Sequence, residues 1–498
     1  MASLLWKCGN WRRWAGLAAA LWALGGPTRA LAQIPSALGE SDVLSWVVRR
    51  NLGIQAAAYD PQIAGTDITK TKGQFDTQVS GEASYNLDRS DQTSIIFGTD
   101  NRTVVWDAKA EKKFPVGVQG AISLGNQRES TNSAFATDPA FFDTRLRFDV
   151  KAAMLKNRFG KSDKAQIALA EAGQKVSEEL SRTVVEDRAA EAVTSYWNWV
   201  ATRYYVEVAR RFLKLAQDFL DTTQSKKVLG LAEDTDTLGA QALVVERQAE
   251  LERAKNLSLD AEKRLRYLLD DTGGKSWRAK DPLRSDRRPG LKEDLLQTAL
   301  QSRPEYLALR REAEAKDIQI TLAKDQKWPS LDLFTSLELN SVDPSYGTVL
   351  RETFSAQHPN WLIGAQFSLS IENRIAKGEL DRGKLEKAKV LVQMKELENL
   401  ISLEIDESWR EVLLQRKETD NFTRAADLQR RKMEEETRKY FLGRSDSDTI
   451  VRFQEDALAA ERKRLEAELR YRLAWVQLRK SAGILVPSGA ESQAGAVK

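Results

Sequence analysis

The chain has 498 residues, 30% of them charged, with 76 Lys and Arg against 72 Asp and Glu and a formal net charge of +4. One His (His358) and one Cys (Cys8) are too few for most zinc sites, Cys–His pairs and Ser-His-Asp triads. The composition therefore predicts a protein that is not an enzyme and that holds no metal or cofactor. The balance of charges also disfavours nucleic-acid binding, which needs a basic face.

Residues 1–32 have the order of a secretory signal peptide. Three basic residues precede the apolar run 14–24, and Ala30-Leu31-Ala32 has the A-x-A form of a cleavage site. The run is too short to span a bilayer as a helix, and an uncleaved anchor is the alternative. Cleavage would leave 72 basic and 72 acidic residues and no cysteine. No later apolar stretch approaches 18 residues, so the exported chain is either periplasmic or crosses a membrane as strands of a closed barrel.

A period-two alternation begins at Phe75, after a segment (33–74) that we expect to form a short helix. Apolar or small residues on one face are Phe75, Thr77, Val79, Gly81, Ala83, Tyr85 and Leu87, and the seven alternate positions from 76 to 88 are all polar. A strand with one lipid face and one wet face shows this pattern, although a soluble sheet with one buried side shows it too. Further strands are predicted near 104–112, 116–127 and 144–152. Segment 75–153 is therefore assigned to strands and outer loops.

A very long helix follows. From 161 to 229 the sequence has no proline and one glycine, which predicts a rod of about 100 Å. A glycine turn and a returning helix of half that length complete a helical hairpin over 154–272. We expect four aromatic residues of the long helix to pack in its interface: Trp197, Trp199, Tyr204 and Tyr205.

The second half of the chain repeats this order. Segment 273–330 is expected to hold an equatorial segment and a second short helix, 331–372 two strands, and 373–485 a second long hairpin. Ile68, Lys72, Gln74 and Val79 lie 252 residues before Ile320, Lys324, Gln326 and Leu331. A period of this size indicates an internal two-fold duplication. Residues 486–498 have the composition of a disordered tail.

The predicted fold class is mixed α and β, mostly α. It combines a long coiled-coil α-helical barrel with an antiparallel transmembrane β-barrel. Two strands per half give four per chain, too few to enclose a pore, so closure is expected to require oligomerisation. The first strand tract is about 36 residues longer than the second. It has room for an additional hairpin turning near 112–117, which would either join the barrel or lie outside it.

Several short motifs within this frame resemble the outer-membrane efflux protein (TolC) family. They are Arg303-Pro304-Glu305-Tyr306, Lys324 with Trp328-Pro329-Ser330-Leu331, Ser195-Tyr196-Trp197, Leu229-Gly230-Leu231 and Ala482-Gly483-Ile484-Leu485. The resemblance covers about residues 41–485. It implies a homotrimeric duct in the outer membrane whose helical tunnel extends into the periplasm, as the exit of a tripartite efflux or type I secretion system. The implied partners are a periplasmic membrane-fusion adaptor, an inner-membrane transporter and outer-membrane lipid.

The same resemblance assigns candidate sites to the two glycine turns. The candidate adaptor-docking tips are Leu229, Gly230, Leu231, Leu442, Gly443 and Arg444. The candidate periplasmic gate residues are Thr235, Asp236, Tyr440, Asp446 and Asp448. The alternatives are that each glycine is only a helix C-cap and that Asp236 is only an N-cap.

Two details of the expected gate concern hydrogen bonds and charge. A Tyr440 hydroxyl donating to a carboxylate such as Asp236 would form a breakable lock. Counting from Gly443 places Thr449 and Arg452 where some mouths of the family carry an aspartate ring. Because the acidic residues Asp446 and Asp448 lie nearby, Asp448 is a candidate for a shifted ring, and a solvated helix cap is the alternative.

Two other functions compete with the duct. A periplasmic coiled-coil scaffold without a pore would show the same helices and a soluble sheet. A diffusion porin is disfavoured because porins lack helical rods of this length. The sequence favours no particular cargo, although the helical tracts have no histidine and no methionine cluster to support a copper or silver path.

Overall fold

The computed structural model describes residues 37–91, 96, 98–274 and 276–486. The predicted signal peptide (1–32) and residues 487–498 of the predicted tail lie outside the described residues. The chain is mostly helical, with 64% helix and 18% strand. No helix in the described part of the chain is long and apolar enough to cross a membrane.

The helices of the described residues are α1 (Glu40–Arg50), α2 (Leu52–Ala57), α3 (Asp60–Lys72), α4 (Lys161–Val228), α5 (Asp234–Leu268), α6 (Lys292–Ser302), α7 (Pro304–Gln326), α8 (Tyr346–Phe354), α9 (Arg374–Phe441) and α10 (Ser447–Ser481). The strands are β1 (Ala37–Leu38), β2 (Gln78–Asp88), β3 (Asn101–Phe114), β4 (Val118–Thr131), β5 (Ala140–Ala153), β6 (Arg278–Ala279), β7 (Ser330–Asp343) and β8 (Pro359–Ser368). Strands β1 and β6 form a separate parallel pair.

The two long helices have the predicted length. Helices α4 and α9 each have 68 residues, and each is followed by a returning helix of 35 residues, α5 and α10. At 1.5 Å per residue the long helices measure about 100 Å. Each half of the chain therefore has the same order of elements: a helical segment, strands, a long helix, a glycine turn and a returning helix of about half the length. The duplication of the sequence itself stays a prediction.

The single short helix expected before the first strands is instead three helices. Asn51 ends α1, and its side chain accepts a hydrogen bond from the Ile54 N–H at 3.2 Å and donates to the Leu268 carbonyl at 2.8 Å. Pro61 is the second residue of α3, and it marks the start of a new helix because proline suits the first turn and lacks the N–H that an interior position needs. An asparagine cap and a proline thus divide the segment.

The other strands form one six-stranded sheet in the order β2-β3-β4-β5-β7-β8, and every neighbouring pair is antiparallel. The expectation of four strands per chain is wrong, because the longer first tract contributes two extra strands, β3 and β4. They are joined by a tight turn over 115–117, within the region expected to turn. This hairpin is part of the sheet.

The main hydrophobic core lies at mid-height, where α1, the middle of α4, the end of α5 and the end of α10 meet. Trp197 and Trp199 are fully buried there, and the Trp199 ring lies edge-on to Trp277 at 6.2 Å. Tyr205 is half-buried and its hydroxyl donates to Glu250 at 2.8 Å. Tyr204 is 40% exposed within the chain, so the expected packing of this side chain is not found in the core.

Candidate functional site: the two hairpin turns and the sheet

Both glycine turns end their long helices in the same way. Gly230 has φ +75° and Gly443 has φ +72°, a left-handed conformation that glycine adopts without steric cost. The Leu231 N–H donates to the Lys226 carbonyl at 2.8 Å, and the Arg444 N–H donates to the Lys439 carbonyl at 2.9 Å. These are the bonds of the Schellman motif, so the C-cap role of both glycines is established.

The tips of both turns expose apolar side chains. Leu229 and Leu231 are each 72% exposed and Leu442 is 70% exposed, with Val228 and Phe441 beside them. A C-cap alone does not require such residues, and a cluster of exposed apolar side chains is a common mark of an interaction surface. Their role in adaptor docking stays a prediction.

Tyr440 connects the two hairpins rather than facing solvent. It is 4% exposed, and its ring lies 5.3 Å from that of Phe219 on the first long helix. Its hydroxyl shares one hydrogen bond with Thr223 at 3.0 Å and another with Ser447 at 3.3 Å. The Lys226 ammonium lies 3.6 Å from the centre of the Tyr440 ring and donates to the Tyr440 carbonyl. The gate candidate thus sits in a small core that joins the two tips.

Asp236 acts as a local cap. Its carboxylate accepts a hydrogen bond from the Glu233 N–H at 2.8 Å, at the start of α5, and exposed Thr235 lies beside it. Among the described residues the Tyr440 hydroxyl bonds Thr223 and Ser447, so the lock expected between Tyr440 and Asp236 is not formed within one chain. Any gate role of Asp236 or Thr235 therefore stays a prediction.

The second turn is held by two acidic residues with lowered pKa. Asp446 is the N-cap of α10, and the Thr449 N–H and hydroxyl, which donate to it at 2.8 and 2.9 Å, hold its pKa below the usual range. The Ser445 hydroxyl donates to Glu436 at 2.7 Å and, together with Lys439, lowers the pKa of that carboxyl. Asp448 lies exposed in the first turn of α10. Whether Asp448 belongs to an aspartate ring at the mouth stays a prediction.

Sequence reasoning missed the partners of Tyr440. Thr223 and Lys226 lie on the other hairpin, more than 200 residues away in the chain, and no local motif marks them. The available signal was their position in the last part of α4. Thr223 lies about two helical turns before Gly230 and Lys226 about one, on the face of the helix that carries Phe219.

The sheet has two chemically different faces. Apolar side chains of all six strands share one face, on which lie Val79, Val104, Ile122, Leu146, Leu337 and Ile363. Several are strongly exposed, with Ile363 at 79% and Val79 at 78%. A soluble sheet would bury this face, whereas a membrane-spanning sheet presents it to lipid.

The opposite face carries ions and polar groups in cross-strand pairs. Arg147 donates to Glu338 at 3.0 and 2.7 Å, and Lys151 pairs with Asp332 at 3.1 Å. Both pairs join β5 to β7, the strands at which the two halves of the sheet meet. This face is suited to line a wet passage. Within the described ranges no group of three or more His, Cys, Asp or Glu residues is placed to hold a metal ion.

The chain is similar over nearly its whole length to solved outer-membrane channels. The CmeC outer membrane channel of Campylobacter jejuni matches with a TM-score of 0.65 and 15% identity, covering 91% of this chain and 89% of that one. The open-state MtrE outer membrane channel of Neisseria gonorrhoeae matches with a TM-score of 0.65 and 15% identity, covering 92% of this chain and 94% of that one. The outer membrane protein VceC of Vibrio cholerae matches with a TM-score of 0.64 and 13% identity, covering 89% of this chain and 96% of that one. The sequence itself matches no protein-family model and no curated protein.

These matches define the class of fold. The chain has the fold of the TolC-like outer-membrane efflux channels, and the resemblance indicated by its sequence motifs is confirmed. At such low identities the likeness establishes the fold, and the activity and the partners of this chain are inferred below.

Proposed function

We propose that the protein is a trimeric outer-membrane channel, the exit duct of a tripartite efflux or type I secretion system. It conducts substrate passively from a periplasmic adaptor and an inner-membrane pump to the outside. The observation that carries this proposal is the exposed apolar face of the sheet, directly continuous with two helices of about 100 Å that end in exposed apolar turns.

The connections between sheet and helices support this orientation. Helices α3 and α7 lead into β2 and β7, and β5 and β8 lead out into α4 and α9. Because neighbouring strands run in opposite directions, β2 and β7 begin and β5 and β8 end at the same end of the sheet. All four connections to the helices therefore lie at that end. With the sheet in the outer membrane, the helices extend together to one side, the periplasm.

The open sheet supports the assembly of several copies, which we propose are three. Within the described residues β2 pairs only with β3 and β8 only with β7, so one chain leaves two edges unpaired. Unpaired backbone groups are costly in lipid, and closure with further copies removes them. The structural neighbours are channels, and conduction of this kind requires no catalytic residue.

The exposed turns are the proposed contact with the adaptor. Leu229, Leu231 and Leu442 offer apolar area at the end of the helices farthest from the sheet. An adaptor that covers these tips would bury the leucines and bring the pump into line with the duct.

The proposal is tested by removing the gene from the native host and measuring export through each of its inner-membrane pumps. We expect at least one cargo to accumulate inside the cell, with export restored by the wild-type gene. The purified protein should also form ion-conducting pores in planar lipid bilayers. Normal export together with no conductance would contradict the duct and favour a periplasmic scaffold.

A further inference from the structure

The inference concerns the number of strands in the membrane and rests on the proposed trimeric duct. We propose that β2 of each chain pairs antiparallel with β8 of the next, closing a barrel of 18 strands. Three copies of the six-stranded sheet supply them. The extra hairpin, β3–β4, is thus part of the pore wall in every subunit.

Unbroken pairing supports the place of the hairpin in the wall. Every residue of β2 from Gln78 to Asp88 has a partner in β3, and every residue of β3 has a partner in β4. Pairing of β4 with β5 runs from Val118 to Ser130. A decorating hairpin would leave β2 beside β5, which is not the arrangement of this sheet.

Side-chain alternation in the hairpin agrees with that of its neighbours. Trp106 and Ile122 lie on the apolar face with Ala83 and Phe148, to which they are directly paired. The lipid-facing surface is therefore continuous across the hairpin. A slip of one residue in either strand would turn all its apolar side chains into the wet interior.

The base of the hairpin is fixed to the helical part of the molecule. Lys113 of β3 donates to Asp163, in the first turn of α4, at 2.6 Å, and Asp163 is almost fully buried. The turn itself packs closely on the helix start: a Cβ added at Gly160 would lie 2.1 Å from the Pro115 carbonyl oxygen. The Ala153 N–H also donates to the Gly117 carbonyl at 3.0 Å. These contacts anchor the extra strands at the junction where the barrel meets the tunnel.

The two edge strands are suited to join one another. Strands β2 and β8 have 11 and 10 residues, both are exposed on both faces, and they run in opposite directions relative to the helices. Helix α8, in the connection before β8, packs on the apolar face, where the Tyr346 ring lies 5.3 Å from Phe142. It therefore lies outside the ring and leaves the polar interior open.

The extra strands widen the exit without widening the tunnel. Strands about 4.8 Å apart and tilted by about 40° give a barrel about 36 Å across for 18 strands and about 24 Å for 12. The helical part still has two hairpins per chain. Size selection is thus left to the helical tunnel and its turns, and the outer-membrane section serves as a wider vestibule.

The test is cryo-electron microscopy of the purified trimer in lipid nanodiscs. The wild type is compared with a variant that lacks residues 101–131, with Asp100 joined to Asn132. This junction is short, because the Asn132 N–H already donates to the Asp100 carbonyl at 3.3 Å. We expect 18 strands in the wild type and 12 in the variant, with a 1.5-fold smaller barrel diameter. A wild-type barrel of 12 strands with the hairpin outside the wall would overturn the inference.

Disulfide trapping in the wild-type background decides the question if the deletion variant does not assemble. Cys8, in the predicted signal peptide, is the chain's only cysteine, so no other cysteine of the mature chain competes with an introduced pair. We expect Ser84→Cys to cross-link with Val105→Cys, its direct partner in β3, and not with Arg147→Cys in β5. The reverse result would place β2 beside β5 and exclude the hairpin from the wall.

The two proposals fail in different ways. A trimer with a 12-stranded barrel refutes only the wide barrel and leaves the duct intact. A soluble monomer refutes the duct itself and the barrel with it.

Discussion

The ammonium group of Lys226 lies 3.6 Å from the centre of the Tyr440 ring and binds the Tyr440 carbonyl oxygen, joining the tips of two hairpins. The same carbonyl accepts the Gly443 N–H at 3.0 Å, the bond that ends the second long helix. The C-cap of one turn is therefore tied to the side chain of the other. Any motion that separates the tips must break this contact, which places Tyr440 at the centre of the proposed periplasmic mouth.

Replacing Tyr440 by Phe should loosen the contact between the tips. The ring contacts with Phe219 and Lys226 remain, whereas the hydrogen bonds to Thr223 and Ser447 are lost. We expect the contact between the tips to be weakened by about 1 kcal/mol. The effect stays this small because the Thr223 hydroxyl keeps its hydrogen bond to the Phe219 carbonyl and is not left without a partner. Single-channel recordings in planar bilayers should show longer open times than the wild type. The control is Tyr204→Phe, an exposed tyrosine of the other long helix, α4, and equal open times in both variants would contradict this role.

Polar substitution of the exposed leucines should uncouple the duct from its adaptor. The double variant Leu229→Ser, Leu231→Ser removes apolar area that makes no core contact in the chain, so the fold should be preserved. We expect cargo export in the complemented host to fall at least tenfold while conductance of the purified protein is unchanged. Leu259→Ser, at a similarly exposed position far from the turn, is the matched control. Full export by the double variant would exclude this surface as the docking site.

Two glycines should differ sharply in their tolerance of alanine. At Gly230 an added Cβ meets no atom within 4 Å, so only its positive φ opposes the change, at a cost of about 1 kcal/mol. At Gly160 the same atom would meet the Pro115 carbonyl, and the junction between barrel and tunnel must shift. We expect Gly160→Ala to lower the temperature at which the trimer dissociates on a heated gel far more than Gly230→Ala. Equal temperatures for the two variants would show that the close approach at the junction is absent.

Acid should loosen the second turn before the rest of the helices. The pKa values of Glu436 and Asp446 are lowered in the folded chain by their hydrogen bonds. A carboxyl with a lowered pKa stabilises the fold above the unfolded pKa, and that stabilisation is lost as the pH falls through the lower folded pKa. A spin label at Leu442→Cys should gain mobility between pH 6 and pH 3.5.

Glu436→Gln is the matching variant for that experiment. It removes the carboxylate that holds Ser445, so at pH 6 the label should be more mobile than in the wild type, and this difference should shrink at pH 3.5. A label whose mobility is independent of pH in the wild type would show that these two carboxylates do not hold the turn.

The long helices and the turns were predictable because their signals are local. The absence of proline from 161–228 and from 374–441, followed by Gly230 and Gly443, defines both rods and their ends. The alternation after Phe75 marked the first strand equally well.

The remaining features depend on contacts between distant segments. Alternation showed that β3 and β4 were strands, yet only their pairing partners decide whether they enter the wall. The expected Tyr440–Asp236 bond placed Tyr440 near the mouth and missed its partners, since Thr223 and Lys226 reach it from the other hairpin. Helix α8 was missed altogether because nine residues within a strand connection give too short a periodic pattern.

The central claim is that copies of this chain close a pore in the outer membrane, and one measurement tests it most directly. The envelope of the native host is fractionated, the outer membrane is extracted in mild detergent, and the mass of the purified particle is measured. The duct predicts a particle of three mature chains in the outer-membrane fraction, converted to monomers by heating. A soluble periplasmic monomer or dimer would contradict the account and leave a coiled-coil scaffold in its place.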